Sequence, residues 1–137
     1  MHKILVTGAG GIGGVNFVRA LRYTGDFYIV GTDHFPYHIK FNDLDKEYIS
    51  PRHDSPEFIP LIKNIIRTDK IEFVHPQPEV EAEVISQWKG ELGARTYLPS
   101  SEIFGICRDK YETAKILQPL GLAPKTELYD EITIEDA

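Results

Sequence analysis

Gly8, Gly10, Gly11, Gly13 and Gly14 are the residues whose types and spacing most directly suggest chemistry. They follow an apolar run rich in β-formers, 2–7, and precede Val15, Phe17, Val18 and Leu21, which have helical spacing. The glycines therefore sit at a strand-to-helix turn. Such a turn calls for one residue at φ > 0, one without a side chain so that a ligand can reach the backbone, and one that lets the helix pack close to the strand. The first helical turn then offers unpaired N–H groups and the positive end of its dipole to an anion. Two acids extend the pattern. Asp33 ends the apolar run 27–33, about 20 residues after the loop, where an acid can accept hydrogen bonds from ribose hydroxyls. Glu79 follows Pro76-Gln77-Pro78 at the carboxyl end of a strand, where open α/β sheets bind ligands. Farther on, Tyr111 and Lys115 are four apart. A lysine one helical turn from a tyrosine lowers the phenol's pKa, so that it can exchange a proton with substrate. Each feature also has a plainer reading: a glycine turn that only packs helix on strand, a loop Asp at a strand end, and acids at 79 and 81 that complement a helix dipole.

The elements that must position these residues follow from periodicity. Strands are expected at 2–7, 27–33, 47–50, 70–75 and 95–98, and helices at 12–24, 56–68, 79–92 and about 101–105. Ser55 is a candidate cap for the second helix, and Ile85 and Trp88 belong on the buried face of the third. In the irregular stretch 34–46, Phe35, Tyr37 and Phe41 are expected to pack on the sheet edge. His34 and His38 are four apart, but Pro36 between them argues against a helix, and with it against a metal site. Asp109 can cap a further helix that ends at Pro119 and Gly121. Helices alternating with short apolar strands predict an α/β fold, a Rossmann-like three-layer sandwich with a mostly parallel sheet of about five strands. Right-handed crossovers then bring the glycine loop, Asp33 and Glu79 to one cleft.

Composition narrows the function. The 137 residues suit one domain, and 42% hydrophobic with 26% charged is ordinary for a globular protein. A net charge of −6 with no basic stripe argues against nucleic acid as a partner. No apolar run approaches the roughly 20 residues that span a bilayer, and no leader pattern is visible. Cys107 is the only cysteine, so no internal disulfide can form, and a cytoplasmic setting is expected.

The stretch 107–126 is the most informative. Asp109-Lys110, Thr113, Leu117, Gly121 and Pro124-Lys125-Thr126 resemble the end of the preATP-grasp domain of ATP-grasp ligases: carbamoyl phosphate synthetase large chains, biotin carboxylase and related carboxylate–amine ligases. Glu79 resembles the acid these proteins carry after strand four. The resemblance implies a preATP-grasp domain over 1–126 and the start of a missing ATP-grasp domain at 127–137. It implies ATP-dependent phosphorylation of a carboxylate, then displacement of phosphate by an amine or other nucleophile, with magnesium neutralising the phosphates. Lys110 would contact the nucleotide. The glycine loop, with Asp33 and Glu79, would face the small-molecule carboxylate substrate. ATP and magnesium belong to the full-length protein, and none is expected to bind this fragment tightly. The lobes that complete the site would come from the same or a partner chain, and a homo-oligomer stays open. The fragment alone should be inactive.

An alternative reading is an NAD(P)-binding fragment similar to short-chain dehydrogenases or nucleotide-sugar epimerases. It rests on the spelling Thr7-Gly8-x-x-Gly11-x-x-Gly14, on Tyr111-x-x-x-Lys115 and on Ser100 or Ser101 as a third member. The turn His75-Pro76-Gln77-Pro78 does not resemble the small-residue turn of those enzymes. A third reading, a stand-alone binding domain, predicts only a ligand at the glycine loop.

Overall fold

The computed structural model describes residues 1–128, and these fall into two compact units divided after Leu98. In the first unit β1 (His2–Thr7), α1 (Ile12–Thr24), β2 (Phe27–Asp33), β3 (Lys46–Ile49), α2 (Phe58–Asp69), β4 (Phe73–Pro76) and α3 (Glu79–Gln87) follow in order. The strands form a four-stranded sheet in the order β3-β2-β1-β4. All three pairings are parallel, with Thr7 opposite both Thr32 and Pro76. The α/β, Rossmann-like class is as expected, with four strands instead of five. Arg95 makes a single parallel bridge to Phe73, accepting from Val74 N–H (2.8 Å) and donating to Glu72 (3.0 Å). The ladder stops there, because Leu98 N–H turns to the Thr96 hydroxyl (3.4 Å) and Pro99 has no N–H to give.

Strand alternation makes the layers. Ile4, Val6 and Ile29 face α1 and bury Val18, with Phe17 and Leu21 packed at the edge. Leu5, Val30 and Val74 point the other way, onto Phe58, Ile62, Ile65 and Ile66 of α2 and Ile85 of α3. The period of two thus sorts each strand between the helical layers.

Several boundaries differ for local reasons. Helix α2 begins at Phe58, because residues 55–58 close a turn first: Phe58 N–H donates to the Ser55 carbonyl (3.1 Å) and Glu57 N–H to its hydroxyl (3.3 Å). Strand β4 starts at Phe73, after Lys70 takes a left-handed conformation (φ 58°) to end α2. Helix α3 ends at Gln87, so Trp88 leaves the buried face, and Lys63 Nζ sits 4.1 Å over its ring. Phe35, Tyr37 and Phe41 are exposed rather than packed on the sheet; fully buried Ile39 holds that loop, and Leu44 packs on the α1-side core.

Asp69, the last residue of α2, ties the edge strand down. Its carboxylate accepts from Lys46 Nζ (2.6 Å) and Tyr48 Oη (2.8 Å), and its carbonyl accepts from Lys3 Nζ (3.0 Å). Burial opposes ionisation, but those two donors win and hold the carboxyl below its usual range. A depressed folded pKa contributes stability above the unfolded pKa and loses it as pH falls through the folded value. We expect Asp69→Ala to cost about 2 kcal/mol at pH 7, from two charge-assisted or buried hydrogen bonds, and less at pH 3. Urea unfolding at both pH values measures it, and an equal loss at both would remove the ionic account.

The second unit, described to Leu128, holds α4 (Ser101–Arg108) and α5 (Lys110–Leu117). Ser100 caps α4 through Ile103 N–H. The helix runs through Gly105 instead of ending there, since a single glycine only weakens a helix. Asp109 caps α5 as expected, accepting from Tyr111 N–H (2.9 Å) and Glu112 N–H (3.0 Å). Helix α5 stops at Leu117, a 3-10 turn over Gln118–Leu120 follows, and Gly121 closes that turn in the left-handed region (φ 69°). Most of the expected start of a further domain, at 129–137, lies outside the described residues.

Candidate functional site

All four strands of the first unit end on one rim, and the loops that leave them enclose a cleft of about 320 Å³. Gly8 and Gly11 line it from the loop after β1, Asp33, His34 and His38 from the segment after β2, Arg52 and His53 from beyond β3, and Pro78 and Glu81 from the head of α3. Neighbouring β2 and β4 leave β1 on opposite sides, so this is the crevice that parallel sheets open at a switch of strand order.

The glycines do what a strand-to-helix turn requires, but mostly toward the chain itself. Gly8 takes φ +60°, and a Cβ there would lie 2.2 Å from Pro78 Cγ. A Cβ at Gly10 would meet His38 Cβ at 2.6 Å, and one at Gly14 the Gly8 carbonyl at 2.6 Å. A Cβ on Gly13 would meet Gln77 Oε1 at 2.2 Å. The Gln77 amide donates to His75 Nε2 (2.8 Å), and the imidazole stacks on Phe17 at 3.7 Å. Burial lowers the His75 pKa, which keeps the ring neutral and able to accept. Gly11 alone in the loop leaves room, with 3.5 Å to its nearest neighbour.

The acids divide their work. Asp33 is 5% exposed, and its oxygens accept from Gly10 N–H and Phe35 N–H, both at 2.9 Å. It braces the glycine loop. Glu79 is exposed and does not line the cleft; Glu81, 5% exposed, does. The expected meeting of the glycine loop, Asp33 and Glu79 is therefore one of the loop, Asp33 and Glu81. Helix α3 buries 81, 82, 85 and 86, a stripe that turns position 81 inward and 79 outward. That stripe was the available signal, since Ile85 fixes the buried face and 81 lies one turn before it. Arg52 and His53 carried no signal, because they sit in a loop without periodicity.

Glu81 is electrostatically unusual. Burial raises its pKa, and the nearby charge of Asp33 adds to this. The Thr7 hydroxyl pulls the other way without closing a full hydrogen bond. Oε2 of Glu81 has no partner, and among the described residues the other buried side-chain oxygens in that condition are those of Thr7, Thr32 and Ser50. By strand alternation these three share the sheet face of Leu5, Val30 and Tyr48, at its carboxyl end. Buried polar oxygens without partners mark a place for water or ligand groups.

Neither reading of the second unit's residues is met by a cleft around them. Lys110 is exposed on the first turn of α5. Lys115 binds Glu112 (2.9 Å) and lies 5.4 Å from the Tyr111 ring centroid, while the Ser100 hydroxyl is occupied as the α4 cap. Two members of the proton-exchange set expected of a dehydrogenase, Lys115 and Ser100, are thus spent on local contacts. Among the described residues no three His, Cys, Asp or Glu side chains group for a metal ion. No helix there is long and apolar enough to cross a membrane.

No family model and no curated protein matches the chain. Solved structures do. N5-carboxyaminoimidazole ribonucleotide synthetase from Thermotoga maritima matches with TM-score 0.65 at 20% identity, over 88% of this chain and 31% of that one. The biotin carboxylase domain of a single-chain bacterial carboxylase matches with TM-score 0.64 at 17% identity, over 99% of this chain and 32% of that one. The fold is the one these carboxylase and synthetase structures share. The chain spans about a third of the length of either match. A dTDP-glucose 4,6-dehydratase from Bacillus anthracis, solved with NAD, matches over 66% of this chain and 34% of that one, with TM-score 0.52 at 15% identity. The nicotinamide fold thus overlaps less of the chain than the carboxylase fold does.

Proposed function

We propose that this chain is the substrate-side, preATP-grasp domain of an ATP-dependent carboxylate–amine ligase similar to carbamoyl phosphate synthetase and biotin carboxylase. The cleft at the strand ends takes the carboxylate substrate, with Gly11 open to it and Glu81 as an acceptor at its floor. Lys110 offers the nucleotide a point positive charge. ATP supplies the phosphoryl group when bound, and magnesium would neutralise its phosphates. On this reading the lobes that would hold both belong elsewhere in the same or a partner chain.

The observation that carries this reading is the filling of the glycine loop by its own chain. A dinucleotide needs the loop backbone bare so that its pyrophosphate can approach. Here His38 covers Gly10, and Gln77 covers Gly13. The carboxylase-type fold covers most of the chain in addition.

Two measurements test it. Calorimetric titration of the chain with NADH and NADPH should show no micromolar binding. ADP release from Mg-ATP, by the chain together with its ATP-binding lobes, should depend on an added carboxylic acid. Gly11→Val should raise KM for that acid about tenfold, as a branched side chain enters the cleft. Loop-dependent nicotinamide binding, or ADP release indifferent to every acid, would overturn the proposal.

A further inference from the structure

The cleft mouth sets nitrogen side chains beside its acids. The protein carries −6, and the cleft contains Asp33 and Glu81. Each oxygen of Asp33 accepts a backbone N–H, and the carboxylate keeps its charge, with His34 Nδ1 3.8 Å away. The same lining carries four nitrogen side chains, His34, His38, His53 and Arg52. We propose that the mouth of this cleft binds a doubly charged oxyanion group of the ligand, held by these three imidazoles and the Arg52 guanidinium.

Ring contacts order two of the three imidazoles. The Phe35 ring lies between two of them, 3.9 Å from the centroid of His34 and 4.9 Å from that of His38. His38 is locked against the glycine loop, where only glycine fits at position 10. Arg52 binds Asp54 through Nε (3.2 Å) and Nη2 (3.1 Å), a pair exposed on both sides. An exposed pair of this kind is weak, and a guanidinium with five donors has others to offer. A volume of about 320 Å³ suits a small metabolite with such a group at one end. At the other end the partnerless Glu81 Oε2 accepts a hydroxyl or amine proton donor. The shared chemistry is that of a phosphate monoester or a dicarboxylate. The inference rests on the ligase reading for what the ligand is for, not for whether it binds.

Imidazole changes charge between about pH 5 and 8, so affinity should rise as pH falls. The facing groups are Asp33, Asp54, Glu81 and Arg52; proton uptake by Glu81 as pH falls acts in the same direction, and the histidine variants separate the two contributions. Sulfate is the probe, because it stays doubly charged throughout and leaves the pH dependence to the protein. We expect sulfate to bind the 137-residue chain, to shift the ring signals of His34, His38 and His53 in NMR titrations, and to bind about tenfold more weakly at pH 8 than at pH 6. The triple variant His34→Gln, His38→Gln, His53→Gln should remove most of the pH dependence, and a dependence unchanged by it would overturn the site. Arg52→Gln, an exposed site safe for folding, should weaken binding severalfold at both pH values. His2→Gln, at the far end of β1, should change nothing. Malonate binding more tightly than phosphate would assign a dicarboxylate, and the reverse a phosphate monoester; either supports the site. Absence of sulfate binding at pH 6, binding without pH dependence, or binding unchanged by Arg52→Gln would overturn it. Binding is read without ATP, so its failure leaves acid-dependent ADP release standing, and loss of that release with binding intact overturns only the ligase reading.

Discussion

Gly8→Ala is expected to be the most damaging single-methyl change in the molecule, lowering stability by about 3 kcal/mol or more. Two costs combine. Gly8 sits at φ +60°, where an L side chain costs about 1–2 kcal/mol against its own backbone. The new Cβ would also lie 2.2 and 2.3 Å from Pro78 Cγ and Cδ, and overpacking of a rigid ring costs a further 1–3 kcal/mol or so. Gly25 separates the two. It takes φ +92° with nothing within 4 Å of its would-be Cβ, so Gly25→Ala should cost only about 1 kcal/mol. Adding Pro78→Ala to Gly8→Ala should recover part of the loss, because the contact is pairwise. Urea unfolding of the four proteins measures this. Equal losses at Gly8 and Gly25, or no recovery in the double variant, would show that Pro78 is not what Gly8 makes room for.

The Gly8–Pro78 contact also explains what could be read from the chain and what could not. The glycine spacing announced a strand-to-helix turn, and the turn is there, because backbone sterics act locally. The alternation of Ile4, Leu5 and Val6 announced a two-faced parallel sheet, and those residues divide between the two helical layers. What filled the glycine loop was not legible. Gln77 and Pro78 come from the turn between β4 and α3, about 70 residues away, and His38 from a loop without periodicity, so their approach to Gly13, Gly8 and Gly10 is a fact of tertiary packing. Asp33 was legible as a loop-facing acid but not as one whose oxygens are spent on Gly10 and Phe35. The fifth strand failed for a similar reason: 95–98 has strand composition, but pairing takes a partner's register, and only Arg95 finds one. Residues that act through long-range approach, such as Arg52 and His53, leave the weakest trace in sequence.

Glu81→Gln is expected to make the protein more stable at pH 8 and, on the proposed function, to lower acid-dependent ADP release at least tenfold. The stability half follows from linkage. Burial and Asp33 raise the Glu81 pKa above its unfolded value. A group shifted that way contributes stability below its unfolded pKa, and the contribution is lost as pH rises through the folded pKa. At pH 8 the wild-type protein therefore either carries a buried, partnerless carboxylate oxygen or takes up a proton against the solution. Glutamine keeps the shape, cannot ionise, and brings an amide donor next to the Thr7 hydroxyl, itself partnerless. The stability difference between variant and wild type should be small near pH 4 and widen steadily above it, as read by urea unfolding. The functional half follows from what is removed. If Glu81 accepts a proton donor of the substrate, losing the ionisable acceptor forfeits a hydrogen bond to a charged group, about 1.5–3 kcal/mol, or tenfold to a hundredfold in kcat/KM for the acid. Natural chains keep such destabilised groups where a site needs them. A variant that is less stable than wild type at pH 8 would show that Glu81 is held by an internal partner. A variant that is more stable and fully active would show that the carboxyl never meets the substrate.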